Sequence, residues 1–149
     1  MMARSWSVYG WVLLFCAALL LGACGQKEED PLVALNAQVD AFLEALQGQQ
    51  SSKVMSLLHP EFKAQEKLDR EWVQQTMTAM FLRFRTIHIH VVQREARMFP
   101  GAREAAEVKG RVVLSGTEGL LPQDGDYVEA ESEWRQDGGE WKLFRLRWE

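Results

Sequence analysis

Two histidines, His88 and His90, are the residues of this sequence whose types and spacing best suit chemistry. On a β-strand they would share one face, with Cα atoms roughly 6.6–7 Å apart. Two imidazoles so placed could line a ligand pocket or begin a metal site. A catalytic zinc needs three protein ligands, however, and His59 is the remaining histidine. We therefore predict no metal or catalytic residue, and keep His88 and His90 as candidate ligand-binding residues beside a purely structural interpretation.

A general base beside a tyrosine oxyanion donor is another arrangement that could support catalysis. Tyr127 is the one Tyr beyond Tyr9, and Asp126 precedes it. Neighbours on a strand point to opposite faces, so this pair should not share a pocket. The next three acids are predicted to face outward, because they alternate with Val128, Ala130 and Ser132; they are Glu129, Glu131 and Glu133. Few acids should thus point into the protein.

Three helices are predicted before the first strand. Apolar residues at three- and four-residue spacing indicate a helix from Pro31 to Gln47, which Gly48 ends. Ser51 or Ser52 should cap a short second helix that ends before Pro60. Asp69 should cap a third helix. Its apolar face includes Trp72, Val73, Met77, Met80, Phe81 and Phe84.

From Thr86 the apolar residues recur at every second position, which predicts strands. The first runs to Met98, with a bulge at Val91-Val92, and Phe99-Pro100-Gly101 suits a type II turn. The second strand covers 106–114 and the third covers 127–136. Between them lies a predicted loop, 115–126, whose Leu120 and Leu121 either fold back over the core or form a lid, a dimer contact or a partner contact.

A hairpin is predicted to close the chain at Asp137-Gly138-Gly139. A three-residue loop would place Glu131 opposite Arg145 and Glu129 opposite Arg147 on an exposed face. A two-residue loop would set acids against Phe144 and Leu146, which is less favourable. We expect any pocket between the third helix and the inner face of the sheet. Its candidate apolar wall residues are Trp72, Met80, Phe84, Val112, Trp134, Phe144 and Leu146. His88 and His90 would form a polar wall if their face turns inward. Of the tryptophans, Trp72 and Trp134 are the candidate ligand-binding residues.

Length and charge restrict the class of protein. The 149 residues suit one domain and carry a formal net charge of −4, with 17 Lys+Arg and 21 Asp+Glu. There is no run of basic residues, so nucleic-acid binding is not expected. No cofactor is predicted.

The N-terminal segment has the layout of an export signal. One positive charge, Arg4, precedes an apolar run from Trp11 to Leu21, which is shorter than the roughly 20 residues that span a bilayer. An uncleaved anchor starting near Trp6 is the alternative. Leu21-Gly22-Ala23-Cys24 resembles the lipobox of bacterial lipoproteins. The resemblance implies removal of residues 1–23 with lipid on Cys24.

The tether and the cellular location follow from this resemblance. Residues 24–31 would be the lipidated cysteine and a polar tether that anchors the chain to the membrane. Gly25 follows Cys24 where an Asp would favour inner-membrane retention, so similarity to Gram-negative lipoproteins implies the outer membrane, facing the periplasm.

Residues 32–149 resemble the nuclear transport factor 2-like superfamily. Two stretches carry the resemblance: the helix 39–48 followed by 51–62, and the hairpin 133–143. The resemblance implies an α+β fold, in which N-terminal helices pack on a bent antiparallel sheet of about four strands, a cone. The superfamily contains isomerases, dehydratases, hydrolases and non-enzymatic modules, so the fold does not select a function. We expect a non-enzymatic domain that binds a small apolar ligand or an envelope protein, with a homodimer also open; the alternative is an envelope enzyme with its site inside the cone.

Overall fold

The computed structural model describes residues 29–116 and 127–149. The predictions for Cys24, Leu120 and Leu121 concern residues outside these ranges.

Three helices lie in the described region: α1 (Pro31–Gln47), α2 (Ser51–Leu57) and α3 (Arg70–Arg83). The predicted bounds of α1 are confirmed, and so is the Asp69 cap of α3, whose carboxylate accepts a bond from the Trp72 amide at 3.1 Å. No helix among these residues is long and apolar enough to cross a membrane.

The predicted serine cap of α2 is wrong, because Gln50 holds that position and makes no side-chain cap bond. The reason is the left-handed backbone of Gln49, with φ of 53°, which turns the chain just after α1. The Gln50 amide then donates to the Ala45 carbonyl at 2.9 Å. Ser51 therefore begins the helix itself.

One sheet contains five strands, β1 (Leu58–Ala64), β2 (Ile87–Met98), β3 (Ala105–Gly116), β4 (Tyr127–Asp137) and β5 (Glu140–Trp148), in the order β1-β5-β4-β3-β2. The predicted α+β class is confirmed, with one strand more than expected. That strand, β1, pairs parallel with β5 and contains Pro60, which was predicted only to end a helix. Proline is tolerated there because β1 is an edge strand and its pairing shifts register between Leu58 and Lys63.

The β2–β3 hairpin follows its prediction closely. The register shifts between Val91 and Gln93, which confirms the bulge. At the turn, the Ala102 amide donates to the Phe99 carbonyl at 3.0 Å and Gly101 has φ of 74°, as a type II turn requires.

The β4–β5 register differs from the prediction by two residues. Gly138 and Gly139 form a two-residue loop with φ of 61° and 83°, which suits a type I′ turn. Trp134 pairs with Leu143 but Glu133 pairs with Arg145, so Phe144 is an extra, bulged residue. The bulge brings acids back opposite arginines: Glu131 opposite Arg147 and Glu133 opposite Arg145.

The main core lies between α1 and one side of the sheet, which we call the inner face. Ala106, Val108 and Trp134 point into it, and Phe42 of α1 contacts the Trp134 ring edge-to-face at 6.2 Å. Leu146 is partly buried against this core, but Phe144 is not part of it, which corrects its predicted place on the pocket wall. The opposite side, the outer face, carries Glu107, Lys109, Glu129, Glu131, Glu133, Arg145 and Arg147.

Candidate functional site

The space between α1 and the inner face is filled by apolar side chains. The largest fully buried ones are Trp134, Trp141, Phe62, Leu35 and Leu143. Among residues 29–116 and 127–149, no polar or charged residue is buried. The part of the interior described by the structure therefore presents no buried carboxylate or imidazole to act as acid or base.

The two buried tryptophans differ in their polar contacts. The Trp134 Nε1 donates to the Ser132 hydroxyl at 3.0 Å, and that hydroxyl donates in turn to the Val108 carbonyl at 3.0 Å. The Trp141 Nε1 is buried without a hydrogen-bond partner in the described structure. Such a donor is costly unless water reaches it, so the environments of these two side chains are not equivalent.

His88 and His90 lie on the outer face, exposed to solvent. Their ring centroids are 6.4 Å apart with an interplanar angle of 24°. His90 pairs with Val113, and His88 with Ser115, near the C-terminal end of β3. No group of three or more potential metal ligands occurs within the described part of the chain.

Trp72 and Trp134, the other two candidate residues, occupy separate places. Trp72 is half-buried and stacks on Trp148, with centroids 6.3 Å apart. Trp134 pairs with Ala106 on β3, whereas His88 pairs with Ser115 on the same strand. These two positions are nine residues apart, which corresponds to about 30 Å along the strand. The structure thus brings the two histidines together and Trp72 beside Trp148, but does not assemble the four candidates around one space.

The outer face carries a ladder of ion pairs between neighbouring strands. Lys109 bonds Glu131 at 2.7 Å, and Arg147 bonds the same carboxylate at 2.9 Å. Arg111 bonds Glu129 at 2.6 Å. Exposed pairs of this kind add little to stability because water screens them, so their main effect is on register and on the surface presented to a partner.

Three pKa values on this ladder are displaced by these contacts. The hydrogen bonds from Lys109 and Arg147 lower the pKa of the Glu131 carboxyl. The bond to Glu131, followed by the charge of Glu107, raises the pKa of Lys109. The bond to Glu129 raises the pKa of Arg111. The causes are surface ion pairs, and none of them requires a catalytic site.

A second feature of the outer face was missed by the sequence analysis. The bulged Phe144 is 5% exposed, because three polar side chains cover its ring. We call Phe144 and these side chains, Arg135, Arg145 and His59, the Phe144 cluster. The Arg135 and Arg145 Cζ atoms lie 3.6 and 4.2 Å from the ring centroid, and the His59 ring lies edge-to-face at 5.0 Å. The sequence contains a signal for this bulge. A two-residue Gly-Gly turn without a bulge would place Glu133 opposite Phe144, which is unfavourable, and a bulge at Phe144 removes that pairing.

Surface cavities lie on the outer face and at its edges. One of about 350 Å³ is lined mainly by charged residues, including Lys63, Glu107, Glu133 and Arg145. Another of about 370 Å³ lies beside the Phe144 cluster, at the turn between β2 and β3. Neither is lined by any of the four candidate ligand-binding residues, and neither lies between α3 and the inner face.

Comparison with solved structures gives the fold. A nuclear transport factor 2-like protein from Cytophaga hutchinsonii matches with a TM-score of 0.67 and 12% identity, over 80% of this chain and 98% of that one. The fold is nuclear transport factor 2-like. A nuclear transport factor 2-like protein from Streptomyces avermitilis, provisionally named a dehydratase, matches this fold with a TM-score of 0.63 and 16% identity, over 77% and 91% of the two chains.

Bd1075 of Bdellovibrio bacteriovorus also contains this fold, with a TM-score of 0.65 and 17% identity. The match covers 77% of this chain but 40% of Bd1075. No protein-family model matches the sequence, and a comparison with curated proteins gives no match. At these identities, the likeness of nuclear transport factor 2-like proteins to this chain concerns fold alone.

Proposed function

We propose that this chain is a lipid-anchored protein of the cell envelope whose nuclear transport factor 2-like domain is a non-enzymatic binding module. The anchor is proposed from Leu21-Gly22-Ala23-Cys24, which ends a short apolar run, and from the polar residues that follow. By similarity to Gram-negative lipoproteins, the domain would be tethered to the outer membrane and face the periplasm.

The observation that supports binding over turnover is the apolar interior. A catalytic acid or base gains its altered pKa from burial and charged neighbours in a cleft. Within the described residues, the buried side chains are apolar, and the displaced pKa values belong to exposed ion pairs. An envelope enzyme, such as the dehydratase class named for one structural neighbour, is the alternative; it would need acid–base groups in an enclosed site.

The packing of the interior also favours a protein partner over a small apolar ligand. A ligand pocket is usually a concave, largely apolar space. Here Trp134, Trp141 and Phe62 fill the space against the inner face, whereas the accessible cavities are polar and open. The partner would contact the outer face or its edges, and a second copy of this chain is one such partner.

The anchoring proposal is tested by two cysteine substitutions. Cys24→Ser should abolish lipid attachment and membrane association, because it removes the sulfur that carries the lipid. Cys16→Ser is the matched control, since Cys16 lies in the segment proposed to be removed, and it should leave both unchanged. Mass spectrometry of the mature N-terminal peptide gives the answer. An intact segment 1–23, or an unmodified Cys24, would contradict the proposal.

The binding proposal is tested by replacing both exposed histidines. The double variant His88→Gln, His90→Gln keeps hydrogen bonding but removes acid–base and metal-ligand chemistry. We expect it to complement a deletion strain as well as the wild type does. Circular dichroism and fractionation should establish that it is folded and exported. Complete loss of complementation in a folded, exported protein would instead favour chemistry at these residues.

A further inference from the structure

Most cations of the outer face have carboxylate partners, but Arg103 has none among the residues that the structure describes. Arg97, Lys109, Arg111 and Arg147 each lie within 3 Å of a carboxylate oxygen. Arg103 lies in the turn between β2 and β3, is exposed, and makes no ion pair or hydrogen bond within 29–116 and 127–149. A guanidinium carries five donors, so its binding capacity is unused there.

Arg103 lines a cavity of about 370 Å³ together with two donors of the Phe144 cluster, Arg135 and His59. The other lining residues are Ala102, Glu104, Ala105 and Gln136. The turn and β4 are held together here, because the Gln136 amide donates to the Glu104 carbonyl at 2.9 Å. Three basic side chains and one acid, Glu104, therefore line this open cavity, in a protein of net negative charge.

Arg135 is held in place before any ligand binds. Its Cζ lies 3.6 Å from the centre of the Phe144 ring, and its Nε donates to Glu133 at 2.7 Å. The bond to Glu133 uses the Nε–H, and its Nη1 and Nη2 atoms make no bond within the described structure. A guanidinium fixed by stacking loses less conformational freedom when it binds an oxyanion.

His59 is also oriented. Its Nδ1 accepts a bond from the Glu61 amide at 3.1 Å, and its ring contacts Phe144 edge-to-face at 5.0 Å. Because Nδ1 accepts, the neutral ring carries its proton on Nε2, which remains available as a donor. The site thus combines two guanidinium groups with an imidazole donor.

We propose that Arg103, Arg135 and His59 form a binding site for an oxyanion, a phosphate or carboxylate group. Guanidinium groups bind such groups through paired, charge-assisted hydrogen bonds. The volume, about 370 Å³, suits a small anion or the charged end of a larger ligand. The proposal does not depend on lipid anchoring or on the absence of turnover.

The test is a titration of the ¹⁵N-labelled full chain in detergent micelles with inorganic phosphate at constant ionic strength. Saturable shifts should appear in the amide signals of 102–105 and 135–136 and in the His59 ring. Arg103→Gln should raise the apparent Kd at least tenfold, which corresponds to about 1.4 kcal/mol. A parallel titration with acetate assigns the ligand to phosphate or carboxylate by which of the two binds more tightly.

Arg85→Gln is the matched control, because Arg85 is exposed just before β2, at the other end of that strand from the site. It should leave the Kd unchanged. Arg103 is exposed and makes no hydrogen bond or ion pair with the described residues, so its replacement should not disturb the fold, whereas Arg135→Gln would uncover the Phe144 ring. Shifts that do not saturate with either anion, or an equal effect of Arg103→Gln and Arg85→Gln, would overturn the proposal.

Discussion

Trp134→Phe and Trp141→Phe remove the same atoms from two side chains that are equally buried, at 2% exposure each. Both variants lose similar apolar area and leave a similar space, so these costs should largely cancel when the two are compared. The polar contacts do not cancel, because only the Trp134 Nε1 has a partner, the Ser132 hydroxyl.

The expected difference follows from those contacts. Trp134→Phe loses a hydrogen bond with a net value of about 0.5–1.5 kcal/mol. Trp141→Phe removes a buried donor without a partner, which relieves about 1–3 kcal/mol. Trp134→Phe should therefore reduce the free energy of unfolding by about 1.5–4.5 kcal/mol more than Trp141→Phe does.

Urea unfolding of both variants, followed by circular dichroism, measures this difference. It should be accompanied by similar m-values, since both variants expose similar surface on unfolding. Equal losses, or a larger loss for Trp141→Phe, would refute the reasoning. Such a result would mean that Trp141 Nε1 is satisfied, for example by a buried water.

Two further predictions concern the surface. The hydrogen bonds from Lys109 and Arg147 lower the pKa of Glu131, so the stability that this carboxylate contributes is present above its unfolded pKa and is lost as the pH falls through its folded pKa. The difference in free energy of unfolding between the wild type and Glu131→Gln, measured by urea unfolding, should therefore shrink from about pH 6 to about pH 3. A difference that stays constant with pH would contradict this. Glu66 has φ of 64°, so Glu66→Gly should leave the stability unchanged or raise it by up to about 1 kcal/mol, measured by thermal unfolding. Lys67 has no positive φ, so Lys67→Gly should destabilise the protein. A larger loss of stability for Glu66→Gly than for Lys67→Gly would contradict the backbone argument.

Features decided by neighbouring residues could be predicted from the sequence. The bounds of α1 follow from Pro31, Gly48 and the apolar spacing between them. The Asp69 cap and the type II turn at Gly101 are equally local. Each depends on a backbone preference or a hydrogen bond that spans only a few residues, so its signal lies in one short stretch of sequence.

Features decided by distant partners could not be predicted in this way. β1 forms because β5, about 80 residues later, offers a parallel edge on which Pro60 costs little. The predicted register of the last hairpin is wrong because two arrangements both place acids opposite arginines: a three-residue loop, and a two-residue loop followed by a bulge. The tertiary structure selects the second.

The candidate site divides in the same way. The sequence alone determined that His88 and His90 share a strand face, because alternation is a local property. Only the tertiary structure decided that this face points to solvent and that Phe144 is bulged beneath Arg135 and His59. The physical reason is that the face of a strand that becomes buried is chosen by what packs on it, here α1, which lies far away along the chain.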